Sequence, residues 1–506
     1  MAGALSLGAC SAGGAPVPGG SETSARVFAI GLADVQRVYI DPIEVDDLAI
    51  AGVEGLSEID PNITIERRGK AVQLAVRGKP TGSYDAPDDH DTVGWGRLTD
   101  SMVRDLTEVS PALASADSER IYESVFDAVA DSLDRYSRYS SRSEALESRA
   151  NRDGFGGVGI RIDIVPEGVA VQKVMQGTPA ERAGLADGDV IVAIDGVSAA
   201  GIDQKAAVKR LRGPIDSKVN LTLQRGDSDT LEATVTRAFV VPQTVSWTQE
   251  DGILNLRVEG FNHDTTRAIR AAVRKAENEG GGPPRGAILD LRSNPGGLLD
   301  QAVMVSDLFL DEGTIVTTHG RHPESRQAFD AQDFHLLDAV PLVVLINGYS
   351  ASASEIVAAA LQDNGRALVV GSVSYGKGSV QNLLRLPNEG ELTLTWARFH
   401  APSGYPLSGR GVMPNLCTSG YASTREVITS ADRRSNRAFQ LQRVISPHDQ
   451  PALDSFRTNC PSVDTENALE TEVARTLLRD PALYRRILNR DQPSQTVQAR
   501  GGSWLQ

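Results

Sequence analysis

Residues 342–361 read Leu-Val-Val-Leu-Ile-Asn-Gly-Tyr-Ser-Ala-Ser-Ala-Ser-Glu-Ile-Val-Ala-Ala-Ala-Leu. The first five predict a buried strand and the last eight a helix. A second apolar run, at 367–370, predicts the next strand, and Tyr-Gly-Lys-Gly-Ser-Val-Gln follows at 375–381. Ser352 and Lys377 therefore each follow the carboxyl end of a strand. Open α/β sheets place their sites at that edge, so a hydroxyl and an amine are expected there together.

Each of these residues also has an ordinary structural interpretation. The sequence Ser352-Ala353-Ser354-Glu355 fits a capping box, in which the hydroxyl only accepts an N–H group of the helix. A lysine after a glycine is commonly a solvated loop residue. Spacing alone leaves both interpretations open, and the surrounding residues favour a catalytic pair.

The chemistry of such a pair explains the residue types. A serine hydroxyl becomes a good nucleophile when a neighbour removes its proton, and Lys377 could do so only in its neutral form. Burial disfavours the ammonium form of a lysine. The amide oxygen of Gln381 can orient the amine without adding a negative charge that would keep it protonated.

The surrounding residues closely resemble the carboxyl-terminal processing proteases, also called tail-specific proteases, which use a Ser/Lys dyad and carry a PDZ domain. The resemblance extends from about Arg26 to about Asn415. Its catalytic part rests on Ser350-Ala-Ser-Ala-Ser-Glu-Ile356, Ala360-Leu-Gln-Asp363, Arg366-Ala367, Tyr375-Gly-Lys-Gly378 and Gln381. It implies that Ser352 is the nucleophile, that Lys377 is the general base, and that Gln381 orients the lysine.

The order of the predicted elements bears on the fold class. Strands and helices alternate between residues 254 and 370, which predicts a parallel or mixed sheet covered by helices. The resemblance implies an α/β multidomain protein with a crotonase-like protease core, an inserted PDZ domain and a helical N-terminal region. The expected domains are a signal and linker at 1–25, a mainly helical region at 26–153, the PDZ domain at 154–240, the protease core at 241–425 and a C-terminal helical extension at 426–506.

A glycine-containing loop follows another predicted strand of the core. The strand at 286–291 leads into Asn294-Pro295-Gly296-Gly297. Glycines at a strand-to-helix junction let backbone N–H groups point at an anion, although a tight turn with positive φ would also need them. The resemblance implies that this loop and the residue after the nucleophile form the oxyanion hole. The expected donors of the oxyanion hole are therefore the backbone N–H group of Gly296 or Gly297 and that of Ala353.

A second module lies upstream of the catalytic core. Its resemblance to a PDZ domain rests on Gly154-Phe-Gly-Gly-Val-Gly-Ile160, a strand at 170–174, Gly177-Thr-Pro-Ala-Glu-Arg-Ala-Gly-Leu185, Gly188-Asp-Val-Ile-Val-Ala-Ile-Asp-Gly196 and Leu211-Arg-Gly-Pro214. Such a domain adds an extended peptide to a sheet edge and holds its carboxylate with backbone N–H groups. The binding loop is expected at Gly156, Gly157, Val158, Gly159 and Ile160, with an ordinary hairpin turn as the alternative. Arg212 is expected to couple this domain to the protease.

Composition excludes some classes of function. The net charge is −15 and no basic run occurs, which argues against binding to nucleic acid. No run of eighteen apolar residues is present. The acidic run at 84–91 is expected to be a solvated loop rather than a metal site. Ser/Lys chemistry needs no metal and no organic cofactor.

The cysteines bear on the compartment. Leu7-Gly8-Ala9-Cys10 resembles a bacterial lipoprotein processing box, followed by a Gly/Pro/Ser linker. It predicts lipidation of Cys10 and a place in the bacterial cell envelope, in the periplasm, with an incidental small residue at Cys10 as the alternative. Cys417 and Cys460 remain as a pair that suits a disulfide in an exported protein, with two separate thiols as the alternative.

These expectations combine into a serine endopeptidase that cuts exported proteins near their carboxyl termini, with unstructured substrate tails recruited by the PDZ domain. An adaptor or activator is a further candidate partner, and the sequence does not indicate the oligomeric state. One alternative is a catalytically silent scaffold that binds tails, although the serine, lysine and glutamine argue against it. The other is an acyl-CoA enzyme, since the crotonase fold also uses backbone oxyanion donors, but neither the PDZ domain nor Lys377 fits it.

Overall fold

The computed structural model describes residues 20–226, 229–332, 336–431, 445 and 449–491. They form two compact units, one made of residues up to Ala145 with Asn382–Thr395, the other of Leu146–Gln381 with Trp396 onwards. The predicted lipidation site, Cys10, lies outside the described residues. Among the helices that the structure describes, none is both long enough and apolar enough to span a bilayer.

The first unit contains helices packed in pairs, α1 against α3 and α2 against α5. The helices are α1 (Gly20–Val38), α2 (Val45–Glu54), a 3₁₀ turn (Gly55–Glu58), α3 (Thr92–Val109), α4 (Pro111–Ser115) and α5 (Ser118–Asp131). Aspartates cap the N-termini of α3 and α5. The Asp91 side chain accepts the Gly94 N–H of α3, and the Asp117 side chain accepts the Arg120 N–H of α5. Trp95 and Phe126 are buried in the core of this unit.

The same unit also has β-structure that the sequence did not predict. Strands β1 (Ile63–Arg68), β2 (Ala71–Val76) and β3 (Lys79–Asp85) form an antiparallel sheet. Glycines with positive φ at Gly69 and Gly78 make its two turns. Strand β4 (Arg138–Ser140) pairs with residues 391–393. Helix α6 (Arg142–Asp153) then leads into the second unit.

The second unit begins with the PDZ-like module. Its main sheet has the order β11-β10-β8-β7-β6, which leaves β6 at an edge, and β9 pairs with β8. The elements are β5 (Phe155–Gly157), β6 (Ile160–Val165), β7 (Gly168–Val174), α7 (Pro179–Arg182), β8 (Val190–Ile194), β9 (Val197–Ser198), α8 (Gln204–Leu211), β10 (Lys218–Arg225), β11 (Asp229–Thr236) and β12 (Ala238–Val240). Val169, Ile191 and Leu221 are buried in its own apolar cluster.

The larger sheet of this unit carries the candidate site. Its order is β13-β14-β15-β18-β19-β22. Strands β13 and β14 are antiparallel and all other pairs are parallel, so of the two predicted forms, parallel or mixed, the sheet is mixed. The elements from Val245 to Cys417 are β13 (Val245–Glu250), β14 (Ile253–Val258), α9 (Thr265–Gly280), β15 (Gly286–Asp290), α10 (Leu299–Asp307), β16 (Thr314–His319), a 3₁₀ turn (Pro323–Ser325), β17 (Gln327–Asp330), β18 (Leu342–Ile346), α11 (Ala353–Asp363), β19 (Ala367–Gly371), β20 (Ser379–Arg385), β21 (Glu391–His400) and β22 (Leu416–Cys417).

Both faces of this sheet are covered by helices. Leu289 and Val344 face one apolar cluster with α9, α10 and α11, whereas Ile288 and Val343 face a second cluster. The second cluster includes side chains of the C-terminal helices. These helices are α12 (Gln450–Arg457), α13 (Ala468–Arg479) and α14 (Pro481–Asp491). Burial on both faces explains why the central strands are continuously apolar, and it gives the C-terminal helices a structural role that their sequence did not indicate.

Candidate active site

Ser352 occupies the N-cap position of α11, in the loop that follows β18. Its φ of 57° and ψ of −114° are unusual for a residue with a side chain, a kind of strain that costs about 1–3 kcal/mol and clusters at functional sites. The preceding loop is fixed by internal contacts. The Ser350 hydroxyl donates to the Leu291 carbonyl at 2.8 Å, and the Ala351 N–H donates to the Asn294 carbonyl at 3.0 Å.

Lys377 lies in the irregular segment that connects β19 to β20. Its Nζ donates to Oε1 of Gln381 at 2.8 Å, so the amine has a neutral acceptor. The segment turns sharply, with φ of 83° at Gly376 and 54° at Gly378. A Cβ atom at Gly378 would lie 2.0 Å from the Ser408 N, so only glycine fits there.

A buried carboxylate joins these two loops. The side chain of Glu355 is fully buried, and its Oε2 accepts the backbone N–H groups of Ser352 at 2.8 Å and of Lys377 at 3.0 Å. Its Oε1 accepts the Ser374 hydroxyl and the Gly376 N–H, both at 2.6 Å. Burial raises the pKa of Glu355, and these hydrogen bonds act in the opposite direction. The sequence indicated only the contact with Ser352, through the capping-box spacing, because the other partners are distant along the chain.

The predicted oxyanion loop lies against the start of α11. A Cβ atom at Gly296 would be 2.8 Å from the Ser352 Cβ and 2.9 Å from the Ala353 N. The Gly296 N–H donates to Oδ1 of Asn294 at 2.8 Å. At Gly297, φ is 150° and a Cβ atom would lie 2.1 Å from the Phe261 carbonyl oxygen, so both glycines are needed for close backbone approach.

A buried ion network holds the chain between β15 and this loop. Arg292 donates through Nε and Nη2 to the two oxygens of Asp290 at 2.9 and 2.6 Å, and through Nη1 to Glu470 at 2.8 Å. Arg257 adds a contact to Asp290 at 3.1 Å. Burial acts to raise the pKa of Asp290, but the two guanidinium groups outweigh it and the pKa is lowered. The sequence did not single out this network.

The glycine segment of the PDZ-like module is divided between two structural roles. Gly156 and Gly157 belong to β5, which pairs with β12, and the Gly156 carbonyl accepts the Gly213 N–H at 3.0 Å. Val158 is buried. Gly159, with φ of 85°, leads directly into the edge strand β6, which begins at Ile160. Only the end of the predicted binding loop therefore adjoins β6, the edge strand of the sheet in the part of the chain that the structure describes.

Arg212 follows α8 and contacts β5. Its guanidinium carbon lies 3.9 Å from the ring centroid of Phe155, a cation–π geometry. Burial lowers the pKa of Arg212, and the charge of Glu147 opposes that shift. The residue thus links the end of α8 to the strand that contains Gly156.

Cys417 and Cys460 form a disulfide. The S–S distance is 2.04 Å and the Cα atoms are 5.7 Å apart. The bond joins β22, the edge strand of the large sheet, to the segment after α12. It therefore attaches part of the C-terminal extension covalently to the sheet.

The arrangement is suited to acyl transfer. A hydroxyl, an amine with a neutral acceptor and a glycine-containing loop follow three adjacent parallel strands, β15, β18 and β19. Across the described ranges, no group of three or more His, Cys, Asp or Glu side chains is placed to hold a metal ion.

Comparison with known proteins agrees with this chemistry. The family model of peptidase family S41 matches residues 252–418, and that of the PDZ domain matches residues 147–224. The carboxy-terminal-processing protease of Bartonella bacilliformis is 39% identical over 303 residues, which cover 59% of this chain and 70% of the relative. The carboxyl-terminal-processing protease of Synechocystis is 36% identical over 296 residues, covering 57% and 68%.

A solved photosystem II D1 C-terminal processing protease covers 78% of this chain and 92% of its own at 25% identity. Its TM-score is 0.38, which is too low for the superposition to add weight. The similarity to the two sequence relatives spans more than two thirds of their own lengths. This chain belongs to the carboxyl-terminal-processing serine proteases of peptidase family S41, and it carries a PDZ domain.

Proposed function

We propose that Ser352 is the nucleophile and Lys377 the general base of this peptidase. The observation that carries the proposal is that one oxygen of Glu355 accepts the backbone N–H groups of both residues. This contact fixes the backbone of Ser352 relative to the backbone of Lys377, from which the two side chains extend. Gln381 supplies the neutral acceptor that a lysine base requires, because a carboxylate in its place would favour the ammonium form.

The oxyanion hole is formed, in this proposal, by the N–H groups of Gly297 and Ala353. The Gly296 N–H is already engaged by Asn294, which favours Gly297 as the donor from the loop. Ala353 is the first residue of α11. The first N–H groups of a helix have no partner within it and point out of its N-terminal end. Two such donors stabilise the negative oxygen of the tetrahedral intermediate.

The reaction then proceeds in two acyl-transfer steps. Lys377 takes the proton of the Ser352 hydroxyl as its oxygen attacks the peptide carbonyl carbon, and the oxyanion moves into the hole. When the C–N bond breaks, the lysine returns the proton to the leaving amine, which leaves an ester on Ser352. Water, deprotonated by the same lysine, attacks the ester; the C–O bond to Ser352 breaks, the lysine returns the proton to the Ser352 oxygen, and the new carboxyl terminus is released.

Substrate recruitment belongs to the PDZ domain. Strand β6 is at the edge of its sheet, so the unstructured C-terminal tail of a protein can pair with it as an added strand. The turn at Gly159 adjoins that edge and provides N–H groups for the terminal carboxylate. We assign the protein to the bacterial envelope, where it would act on exported proteins, with a crotonase-like core and Arg212 as the coupling residue between PDZ domain and protease.

Cleavage of an unfolded model protein such as casein tests the proposed dyad. We expect wild type to cut it and Ser352→Ala and Lys377→Ala to be inactive, with circular dichroism showing that all three fold. A fully active Lys377→Ala variant would exclude the lysine as base. Inactive wild type that still binds C-terminal peptides would support the silent scaffold, and binding of a CoA analogue at the site would support the acyl-CoA alternative.

A further inference from the structure

The C-terminal extension contacts the loops that carry the proposed dyad. Residues 457–470, named here the C-terminal brace, run from the end of α12 into α13. No sequence pattern indicated a role in catalysis for this extension. Its contacts with the active-site loops include the Arg457 guanidinium, the Glu470 carboxylate and several backbone atoms.

Arg457 makes the contacts nearest to Lys377. Its Nη2 donates to the Ser374 carbonyl at 3.1 Å, and its Nη1 to the Arg410 carbonyl at 3.0 Å. Nη1 is also 3.5 Å from the carbonyl oxygens of Tyr375 and Gly409. A guanidinium presents five N–H donors in a planar fork, so it can hold several carbonyl groups at once. Arg457 thereby joins residues 373–378, named here the lysine loop, to the neighbouring loop at 409–410.

Val463 connects the brace to both catalytic loops. Its carbonyl accepts the N–H of Gly348, in the loop that leads to Ser352, at 2.8 Å. Its N–H donates to the hydroxyl of Ser372, in the loop that leads to Lys377, at 3.1 Å. Further along, the Asn467 carbonyl accepts from Arg292 at 3.0 Å, next to the glycine loop. One continuous segment therefore contacts all three loops of the site.

The brace is itself attached to the large sheet. Cys460 is completely buried and forms the disulfide with Cys417 of β22. Phe456, the residue just before the brace, packs with Cys460 of the brace in a small apolar cluster that includes Val373 and Met413. Val373 belongs to the lysine loop, so the attachment and the loop share this cluster.

The lysine loop depends on such external contacts. Residues 373–378 have no regular secondary structure, so no helix or strand ladder fixes them. Gly376 and Gly378 have positive φ in this loop. Because glycine can adopt many other backbone conformations, these two residues do not by themselves hold the loop in this one. A Cβ atom at Gly376 would lie 3.2 Å from Arg457 Nη1, which shows how closely the guanidinium packs on the loop.

We propose that Arg457 is a positioning residue for the peptidase reaction. It holds the lysine loop so that Lys377 remains within reach of Ser352, and the Cys417–Cys460 disulfide keeps Arg457 in place. The inference rests on the proposed Ser/Lys dyad. It also makes the reaction sensitive to reductants: a dithiol that reduces the disulfide gives two cysteine thiols, is itself oxidised to a cyclic disulfide, and releases the brace.

The test compares kcat and KM of full-length Arg457→Met, Arg457→Lys and Gln450→Ala, each normalised to the folded fraction. Gln450 is the matched control, because it lies exposed on the same helix and its side chain donates within that helix, to Asp454. We expect Arg457→Met to lower kcat by about tenfold to a hundredfold, since a misplacement near 1 Å can cost on the order of 10²-fold. KM should stay unchanged, and Arg457→Lys should recover part of kcat. A variant that is only less stable, with wild-type kcat per folded molecule, would overturn the proposal.

The disulfide is tested with dithiothreitol under native conditions. We expect kcat of wild type to fall on reduction, with thiol counting to show that the bond has opened. The Cys417→Ser/Cys460→Ser variant should have the lower kcat with and without the reductant. An unchanged kcat after complete reduction would exclude the disulfide as the tether.

Lys377→Ala in the same assay separates this inference from the proposed dyad. If Lys377→Ala remains active, the dyad itself is wrong. If it is inactive while Arg457→Met keeps the wild-type kcat, the dyad stands and the positioning role of Arg457 is excluded.

Discussion

The backbone N–H groups of Ser352 and Lys377 donate to the same oxygen atom, Oε2 of Glu355. The two residues follow neighbouring strands, β18 and β19, and the carboxylate crosses the gap between their loops. Because the acceptor is fully buried, water cannot replace either hydrogen bond at low cost. Movement of one loop would therefore strain the other. The relative position of Ser352 and Lys377 is thus fixed by hydrogen bonds of their backbones rather than of their side chains.

Replacing Glu355 by glutamine tests that contact. The amide keeps one acceptor oxygen but turns an NH₂ group toward two of the four donors, so two charge-assisted hydrogen bonds are lost at about 1.5–3 kcal/mol each. We expect a lower free energy of unfolding and a loss of kcat of at least about tenfold. Urea unfolding and casein cleavage measure the two effects.

Glu426→Gln is the matched control for this variant. Glu426 is exposed, and its Oε2 also accepts one backbone N–H, that of Ala422. We expect almost no change there. If Glu355→Gln behaved like this control, the shared acceptor would have no part in holding the site.

Gly296→Ala should disrupt the site through steric contact. Its Cβ atom would lie 2.8 Å from the Ser352 Cβ and 2.9 Å from the Ala353 N, so the nucleophile and an oxyanion donor would both have to move. We expect loss of cleavage while the protein still folds, as measured by casein digestion and circular dichroism. Gly404→Ala is the control, because Gly404 also has positive φ, at 88°, but open space around it. Equal activity of the two variants would show that the close approach at Gly296 is unimportant.

The three strands around the site could be predicted because their sequences are continuously apolar. The strand predicted at 342–346 is confirmed at both ends, and that at 367–370 is one residue longer in the structure. The helix predicted at 354–361 extends by one residue at its start and two at its end. Burial on both faces of the sheet produced this strong signal.

Other parts could not be predicted, for reasons visible in particular residues. Strand β3 contains Lys79, Pro80 and Gly82, which are uncommon in strands, and its pairing with β2 overrides that local preference. The contact of Arg457 with Tyr375 joins residues 82 positions apart, and no local pattern marks it. Glu355 was visible only as a helix cap, since its other partners come from the next loop.

The buried Asp290 should contribute to the acid sensitivity of the fold. Its pKa is below the usual value of 3.8 in the folded state, so the unfolded chain binds the proton more tightly. The stabilisation is therefore fully present above about pH 4 and is lost as the pH falls through the folded-state pKa. We expect Asp290→Asn to lower the free energy of unfolding at neutral pH by about 3–5 kcal/mol, because it leaves Arg292 poorly compensated.

Urea unfolding at neutral and at acid pH measures this contribution. The difference between wild type and Asp290→Asn should shrink in acid. Asp264→Asn, which breaks a pair with the exposed Arg267, should change stability little at either pH. A constant difference between wild type and Asp290→Asn at all pH values would contradict the assignment.

Coupling between the PDZ domain and the protease can be tested at Arg212. Its guanidinium lies over the ring of Phe155, next to the strand pair that holds Gly156. We expect Arg212→Ala to reduce the stimulation of cleavage by an added C-terminal peptide, while basal cleavage persists. Arg210→Ala, in the last turn of α8 just before Arg212, is the control. Undiminished stimulation in Arg212→Ala would exclude the coupling role.

Gln381→Glu tests whether Lys377 acts as the base. The new carboxylate would lie about as close to Lys377 Nζ as the Gln381 oxygen does now, at 2.8 Å. A negative charge at that distance favours the ammonium form of the lysine. Because the base must be neutral to accept the Ser352 proton, the acid limb of the kcat/KM profile should move by about 1–3 pH units toward higher pH. Gln381→Leu, which removes the acceptor without adding charge, should lower activity without that upward shift. Profiles measured from neutral to alkaline pH decide the question, since an unmoved limb in Gln381→Glu would mean that a group other than Lys377 removes the proton.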